Sequence, residues 1–218
     1  KKGEKKYPII VEYAGNKFRS SVGTVEASSF SYGLTAGKEA ILISMPYINT
    51  HKHKNQLTWW GNISATLEYC EKTVKEVCNT YNGDCDNVFI AGFSRGAIAC
   101  NYLGLHNDEI AKLWRGFICY SHYDGIKTDW GYPHSDLQSA LKRLSRLNAR
   151  PTWIGGEYPM TIVANYTTTY APNGNFTFQH VRGFGHTDQW TLYDVPERKI
   201  LRDWFSKSLK KTLDETTL

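Results

Sequence analysis

The chain is organised around the stretch Val88-Phe89-Ile90-Ala91-Gly92-Phe93-Ser94-Arg95-Gly96-Ala97-Ile98-Ala99. Val88 to Ala91 is a short apolar run typical of a buried strand, and the small apolar residues after Gly96 favour a helix. The glycine spacing around Ser94 is typical of a sharp strand-to-helix turn that exposes the serine hydroxyl. Glycine is expected on both sides of the turn because a side chain there would collide where the strand and the helix approach. The turn also needs a positive φ, which glycine adopts without steric cost.

Short apolar runs alternate with helical patterns on both sides of this stretch. Further strands are predicted at Tyr7–Tyr13, Ala40–Met45, Gly116–Tyr120, Thr152–Ile154 and Asn175–Val181. Helices are predicted from about Asn62 to Tyr81, from the capping box Ser135-Asp136-Leu137-Gln138 onward, and from about Pro196 onward. Because the pattern contains no repeat or linker, we predict one α/β domain over residues 1–218. Its mostly parallel sheet is expected to be covered by helices on both faces.

Composition and charge exclude several classes of protein. The chain has 218 residues, of which 41% are hydrophobic, and this suits a sizeable core. None of the apolar runs approaches the length of a membrane span. The net charge is +5, but the basic residues concentrate at the two ends of the chain, so a nucleic-acid partner is not expected. Five cysteines are too few and too irregular for a disulfide scaffold or a zinc site, and no metal site is predicted.

A few features bear on where the protein works. Cys78 and Cys85 flank a predicted turn and are placed to be bridged if the protein is secreted. The glycosylation acceptor pattern begins at Asn62, Asn165 and Asn175. The chain opens on Lys1 rather than Met and shows no signal peptide, so we expect a processed or trimmed product. Together these features predict a secreted or extracytoplasmic protein.

The exposed serine predicts nucleophilic chemistry. A serine hydroxyl becomes a good nucleophile only when a histidine accepts its proton, and an acid must orient that histidine. In the strand-turn-helix version of this machinery, the chain order is serine, acid, histidine. Among the histidines beyond Ser94, only His186 lies in a glycine-flanked loop just after the last predicted strand. Since such a loop can fold back over the carboxyl end of the sheet, His186 is predicted to be the base.

Two carboxylates compete for the role of the acid. Glu157 follows Gly155-Gly156 at the end of the strand that precedes the histidine strand. Asp124 lies just past the strand next to the serine strand, within the polar segment Ser121-His122-Tyr123-Asp124. Both positions lie at the carboxyl end of the predicted sheet. The sequence leaves the acid open between these two residues.

Substrate contacts are predicted from the loops that surround the serine. Stabilisation of an oxyanion needs two backbone N–H groups, and the first is expected from Arg95, the residue after the nucleophile. The second is expected from Gly15 or Asn16, in the loop after the first strand. Aromatic residues in loops on the same side either stack on a substrate or pack beneath long loops. These residues are Tyr13, Trp59, Trp60, Tyr123, Trp130 and Trp190.

From Tyr7 to Leu209, the chain resembles the α/β-hydrolase fold. The resemblance rests on the Gly92–Gly96 motif, on the order of strands around it and on the Gly185-His186 loop. The chain is most similar to small esterases of the polyhydroxybutyrate-depolymerase, feruloyl-esterase and dienelactone-hydrolase kind. The resemblance implies a minimal fold without a large lid domain. It also implies that Ser94 attacks the carbonyl of a small or polymeric ester, that water releases the acyl-enzyme, and that no cofactor takes part.

The chain departs from this family at several points. Glu12-Tyr13-Ala14-Gly15-Asn16 replaces the family's His-Gly oxyanion signature, and Pro159 and Met160 stand where the usual acid is found. The first two antiparallel strands of the fold have no predicted counterpart. These departures leave two alternatives to ester hydrolysis. The same machinery would serve acyl transfer or peptide cleavage, or the chain would be a non-catalytic protein whose aromatic loops bind a ligand or partner.

Overall fold

A parallel β-sheet forms the centre of the molecule. The computed structural model describes residues 5–16, 23–51 and 54–210. Within them, six strands lie side by side in the order β2-β1-β3-β4-β5-β6, and every neighbouring pair is parallel. The strands are β1 (Tyr7–Tyr13), β2 (Ile41–Met45), β3 (Gly83–Phe93), β4 (Gly116–Tyr120), β5 (Pro151–Gly156) and β6 (Asn175–His180). Because all strands run the same way, their carboxyl ends meet at one edge, where a site is expected.

Seven α-helices among the described residues cover both faces of the sheet. They are α1 (Ser29–Thr35), α2 (Ile63–Thr80), α3 (Arg95–Tyr102), α4 (Asp108–Ala111), α5 (Leu137–Leu144), α6 (Thr161–Tyr170) and α7 (Pro196–Ser208). Alternate residues of β1 point to opposite faces: Ile9 and Val11 pack in one apolar cluster and Ile10 in another. The first cluster contains buried residues of α2 to α6, and the second those of α1 and α7. The predicted two-sided α/β architecture is therefore confirmed.

The main differences from the predicted elements lie in the helices. The sequence predicts Ser135 as the residue that caps α5, but the cap is one residue later. The side chain of Asp136 accepts the hydrogen bond from Ser139 N–H at the start of this helix. Helix α6 was not predicted, since its threonines and β-branched residues have weak helix propensity. Val163 and Tyr166 are nevertheless buried on one side of α6. Packing therefore outweighs propensity in this segment.

The cysteines divide into one bridged pair and three buried thiols. Cys78 and Cys85 form a disulfide that joins the last turn of α2 to the start of β3. Cys70, Cys100 and Cys119 are buried free cysteines that behave as small apolar residues. Among the described residues, no helix combines the length and apolar composition that a bilayer span requires. The secreted or extracytoplasmic location stays a prediction.

Candidate active site

Ser94 lies at the sharp turn between β3 and α3. Its backbone has φ 56° and ψ −118°, so the positive φ falls on the serine itself and not on the flanking glycines. The glycines are required by close approach: a Cβ on Gly92 would collide with the backbone of Gly96, and a Cβ on Gly96 with the carbonyl oxygen of Tyr13. The turn therefore holds the Ser94 hydroxyl at the carboxyl end of the sheet in a strained conformation typical of functional sites.

His186 links Ser94 to Glu157. The Nε2 atom of His186 lies 3.1 Å from Oγ of Ser94, and its Nδ1 atom lies 2.6 Å from Oε1 of Glu157. Glu157 directly follows β5, and the loop after β6 carries His186 back over the sheet. The Phe93 ring packs against the imidazole with its centroid 4.7 Å away. With a proton on Nδ1, the imidazole donates to Glu157 and presents a lone pair to the serine hydroxyl.

Ser121 is a member of this group that sequence reasoning missed. Its Oγ lies 3.1 Å from Oε1 of Glu157 and 3.0 Å from Nδ1 of His186. Ser121 follows the last residue of β4 and has a φ of 81°, which is uncommon for serine. The polar segment after β4 indicated a site, but sequence reasoning selected Asp124 from it and not Ser121, its first residue.

The charge on Glu157 is favoured by its partners. Burial alone would raise its pKa, but hydrogen bonds from His186 and Ser121 and the charge of His186 bring the pKa below its usual value. The Glu157 side chain is 17% exposed, whereas the His186 side chain is 48% exposed. The carboxylate is therefore sheltered, while the imidazole is open to an incoming molecule.

Asp124, the other candidate acid, lies in a buried ion pair. Its Oδ2 lies 2.7 Å from Nε of Arg143, and its Oδ1 lies 3.0 Å from Nη2 of the same residue. The hydroxyl of Tyr132 lies 3.5 Å from Oδ1. Of the two candidate carboxylates, Glu157 lies against His186. Asp124 instead binds Arg143 and so links the segment after β4 to helix α5. The hypothesis that Asp124 orients the histidine is wrong.

The predicted oxyanion donors lie next to the serine. Arg95 is the first residue of α3, so its backbone N–H has no partner within the helix. A Cβ built on Gly15 would lie 3.4 Å from Cβ of Ser94, so the loop after β1 approaches the nucleophile closely. Asn16 follows in the same loop and is exposed.

The side chain of Arg95 is buried and makes structural contacts that do not involve its backbone N–H. It is fully buried, donates to the carbonyl oxygen of Trp59 at 2.9 Å and lies 3.9 Å from the centre of the Tyr47 ring. The guanidinium therefore fastens the long loop between β2 and α2 beside the serine. These contacts involve the side chain of Arg95 and not its backbone N–H.

The predicted aromatic contacts with substrate need correction. Tyr13 and Trp60 are only 1% and 2% exposed, so neither offers a surface for stacking. The Trp60 ring stacks on Tyr102 with centroids 4.4 Å apart, and Trp59 packs against Tyr132 at 4.8 Å. Tyr123 and Trp190 are also buried. These rings instead pack the long loops against the body of the protein.

A cavity of about 400 Å³ lies beside Ser121 and His122, the two residues that separate it from His186. Ser121 and His122 form one part of its wall, and the His122 ring lies 5.4 Å from that of His186. Most of the remaining wall is apolar and includes Ile98, Ile126, Trp130, Ile154, Met160 and Val163. Among the six predicted aromatics, Trp130 and Tyr123 contribute to this cavity. The cavity can hold a medium-sized apolar group beside Ser121 and His122.

Comparison with known proteins identifies the fold. No family model and no curated protein matches the sequence. A Bacillus cereus carboxylesterase is 14% identical, with a TM-score of 0.54 over 94% of this chain and 89% of that one. A sugar hydrolase from Lactococcus lactis is 14% identical, with a TM-score of 0.60 over 94% and 88%. A thermostable carboxylesterase cloned from a metagenomic library is 13% identical, with a TM-score of 0.59 over 95% and 81%. Together with the parallel sheet, this likeness shows that the chain has the α/β-hydrolase fold.

Proposed function

We propose that this protein is a serine hydrolase that cleaves carboxylic esters through an acyl-enzyme intermediate. The observation that carries the proposal is the continuous chain of contacts from Ser94 Oγ to His186 Nε2 at 3.1 Å and from His186 Nδ1 to Glu157 Oε1 at 2.6 Å. This arrangement has the base and its orienting acid in the order that serine activation requires. The carboxylesterases among the structural neighbours favour an ester as the substrate.

The proposed reaction has two halves. Ser94 Oγ attacks the ester carbonyl while its proton moves to Nε2 of His186, and Glu157 stabilises the imidazolium that forms. When the tetrahedral intermediate collapses, the bond to the alcohol breaks and His186 returns the proton to the departing oxygen. Water then attacks the acyl-enzyme with the same help from His186, and the acid product leaves with Ser94 restored.

Negative charge on the carbonyl oxygen needs backbone donors during both halves. The N–H of Arg95 is free of helical hydrogen bonding and carries the positive end of the α3 dipole. We assign the second donor to the close-lying loop at Gly15 and Asn16. The buried Arg95 guanidinium fixes the Trp59 loop nearby and thus limits movement around these donors.

The cavity beside His186 supports an ester with an apolar half. Its volume of about 400 Å³ suits an aryl ring or a medium-length alkyl chain rather than an acetyl group alone. Ser121 and His122, which lie against His186, form part of its wall, so we expect a group bound there to direct its ester bond toward Ser94. We therefore expect p-nitrophenyl hexanoate to be cleaved with a lower KM than p-nitrophenyl acetate.

Labelling with a fluorophosphonate probe tests the proposal directly. We expect the wild type to be labelled and to hydrolyse p-nitrophenyl esters, and we expect Ser94→Ala to lose both properties. Ser208→Ala is a matched control because Ser208 is also a buried serine, but its hydroxyl donates to the Trp204 carbonyl in α7. Absence of labelling in correctly folded wild type would refute the hydrolase proposal and would favour a non-catalytic binding protein. Cleavage of peptides or transfer to added alcohols in preference to water would instead assign a different acyl reaction to the same residues.

A further inference from the structure

We propose that Ser121 is a positioning residue whose hydroxyl holds the Glu157 carboxylate against His186, so that the site works with four polar side chains instead of three. The catalytic consequence of this contact rests on the proposed hydrolase function. The contact itself does not, because it concerns the geometry of Glu157 in the free protein.

The three polar atoms form a closed triangle. Ser121 Oγ donates to Oε1 of Glu157 at 3.1 Å and lies 3.0 Å from Nδ1 of His186, while Nδ1 and Oε1 are 2.6 Å apart. Ser121 therefore donates to the acid and offers its lone pair to the same N–H that the acid binds. The longer glutamate side chain has more rotamers than aspartate, and a second contact on Oε1 selects the one that faces the imidazole.

Ser121 is itself held firmly enough to act as a support. Its side chain is buried, its N–H donates to the Gly155 carbonyl at 2.7 Å, and its own carbonyl accepts from Nδ1 of His122 at 2.8 Å. The first of these bonds ties the end of β4 to β5 next to Glu157. Oε2 of Glu157 is buried without a hydrogen-bond partner among the described residues. Oε1 therefore carries the contacts by which His186 and Ser121 hold the carboxylate.

The titratable groups next to the triangle of Ser121, Glu157 and His186 add no second anion beside the imidazole. His122 lies beside His186, and Tyr158 contacts His122 through its hydroxyl at 3.2 Å. Burial lowers the pKa of His122, which favours the neutral ring. Burial raises the pKa of Tyr158, which keeps the phenol uncharged. Glu157 is thus the one anion in direct contact with His186 among the described residues.

Substitution of Ser121 with two different residues separates positioning from folding. Ser121→Ala removes the hydroxyl but keeps the strained backbone. Ser121→Gly removes the hydroxyl and relieves the strain, because glycine accepts a φ of 81°. Ser208→Ala serves again as the buried-serine control. All variants are compared as intact, folded proteins by thermal melting before any other measurement.

The decisive readout is titration of the Glu157 carboxyl carbon by ¹³C NMR, with the signal assigned from its loss in Glu157→Gln. Since the Ser121 hydrogen bond contributes to lowering the pKa of Glu157, we expect that pKa to rise in both Ser121 variants and to stay unchanged in Ser208→Ala. Because this measurement needs no substrate, it tests the contact even if the protein hydrolyses no ester.

Kinetics provide the second readout. We expect kcat for a p-nitrophenyl ester to fall roughly tenfold in both Ser121 variants, with KM within about twofold of the wild-type value. An unchanged Glu157 titration, or a kcat like that of Ser208→Ala, would overturn the proposal. A loss of kcat without movement of the Glu157 titration would assign Ser121 a purely structural role and would overturn the proposal as well.

Discussion

Asp124 and Arg143 form a two-pronged ion pair beneath the active-site edge of the sheet, with side chains that are 0% and 7% exposed. Both carboxylate oxygens are bound, at 2.7 Å and 3.0 Å. The pKa of Asp124 is raised by burial, against the opposing effect of Arg143. Removal of either partner would therefore leave an uncompensated polar group in the interior.

We expect Arg143→Met to lower the free energy of unfolding by roughly 3–5 kcal/mol. Folded Arg143→Met should still react with a fluorophosphonate probe, since the contacts of Ser94, His186 and Glu157 do not include Arg143. Urea unfolding and labelling at low temperature measure the two effects separately. A variant that stays fully stable but loses labelling would contradict the structural assignment of Asp124 and Arg143.

Glu157→Gln should have the opposite profile. The amide keeps the size of the side chain but removes the charge that stabilises an imidazolium, so we expect kcat to fall on the order of 10³- to 10⁴-fold. The melting temperature should change little, because this carboxylate lies at the edge of the sheet. Asp124→Asn is the matched comparison. If it lost more activity per folded molecule than Glu157→Gln, Asp124 would regain the role of the acid.

Glu12 is expected to make stability depend on pH. This residue is buried under α1, where it accepts the Ser31 N–H at 2.7 Å, and burial raises its pKa from the ordinary 4.5 to about 8. The folded state therefore favours the neutral acid. Its contribution to stability is complete below pH 4.5 and is lost progressively as the pH rises to about 8.

The comparison of Glu12→Gln with wild type isolates this effect, since the remaining groups titrate in both proteins. We expect the stability of Glu12→Gln relative to wild type to increase from pH 5 to pH 9 by an amount on the order of a few kcal/mol. Glu39→Gln, at an exposed glutamate paired with Arg202, provides a control that should show no comparable trend. A constant difference between Glu12→Gln and wild type across this range would be inconsistent with a neutral Glu12.

The turn at Ser94 is expected to reject even a methyl group at Gly96. A Cβ there would collide with the Tyr13 carbonyl oxygen, so Gly96→Ala must separate α3 from β1 and displace Ser94. We expect a loss of roughly 3 kcal/mol in stability and no labelling. Gly131→Ala is the control, because its Cβ would meet nothing within 4 Å and only the strain at φ 75° remains. Normal labelling of Gly96→Ala would show that the turn is more tolerant than its contacts indicate.

The residues of the candidate site that the sequence identifies, and that the structure brings together, are those with local signals. Ser94 is marked by its glycines, and His186 by a glycine-flanked loop after the last strand. The choice between Glu157 and Asp124 had no local signal, because it depends on Arg143, which lies 19 residues from Asp124 and in another element. The positioning contact of Ser121 likewise arises only when β4 and β5 lie side by side.

Aromatic residues show the same limit. The pattern around Trp60 is that of an exposed loop, yet its ring is buried on Tyr102, which belongs to α3. A sequence gives the chemistry of such a residue but not the direction of its side chain. The strands of the sheet and helices such as α2 and α7 were predictable because apolar periodicity repeats over several residues, whereas a single ring in a long loop carries no such repetition.

The position of Trp130 beside Trp59 and Trp60 makes the intrinsic tryptophan fluorescence of the protein sensitive to what occupies the cavity. Trp130 lines the cavity and its ring meets that of Trp59 edge to face at 5.3 Å, while Trp60 is stacked on Tyr102. Entry of an apolar group into the cavity would displace water from Trp130, whereas Trp59 and Trp60 do not line the cavity. Substrate binding should therefore be visible as a blue shift in emission that Trp130→Phe abolishes, before any bond is broken.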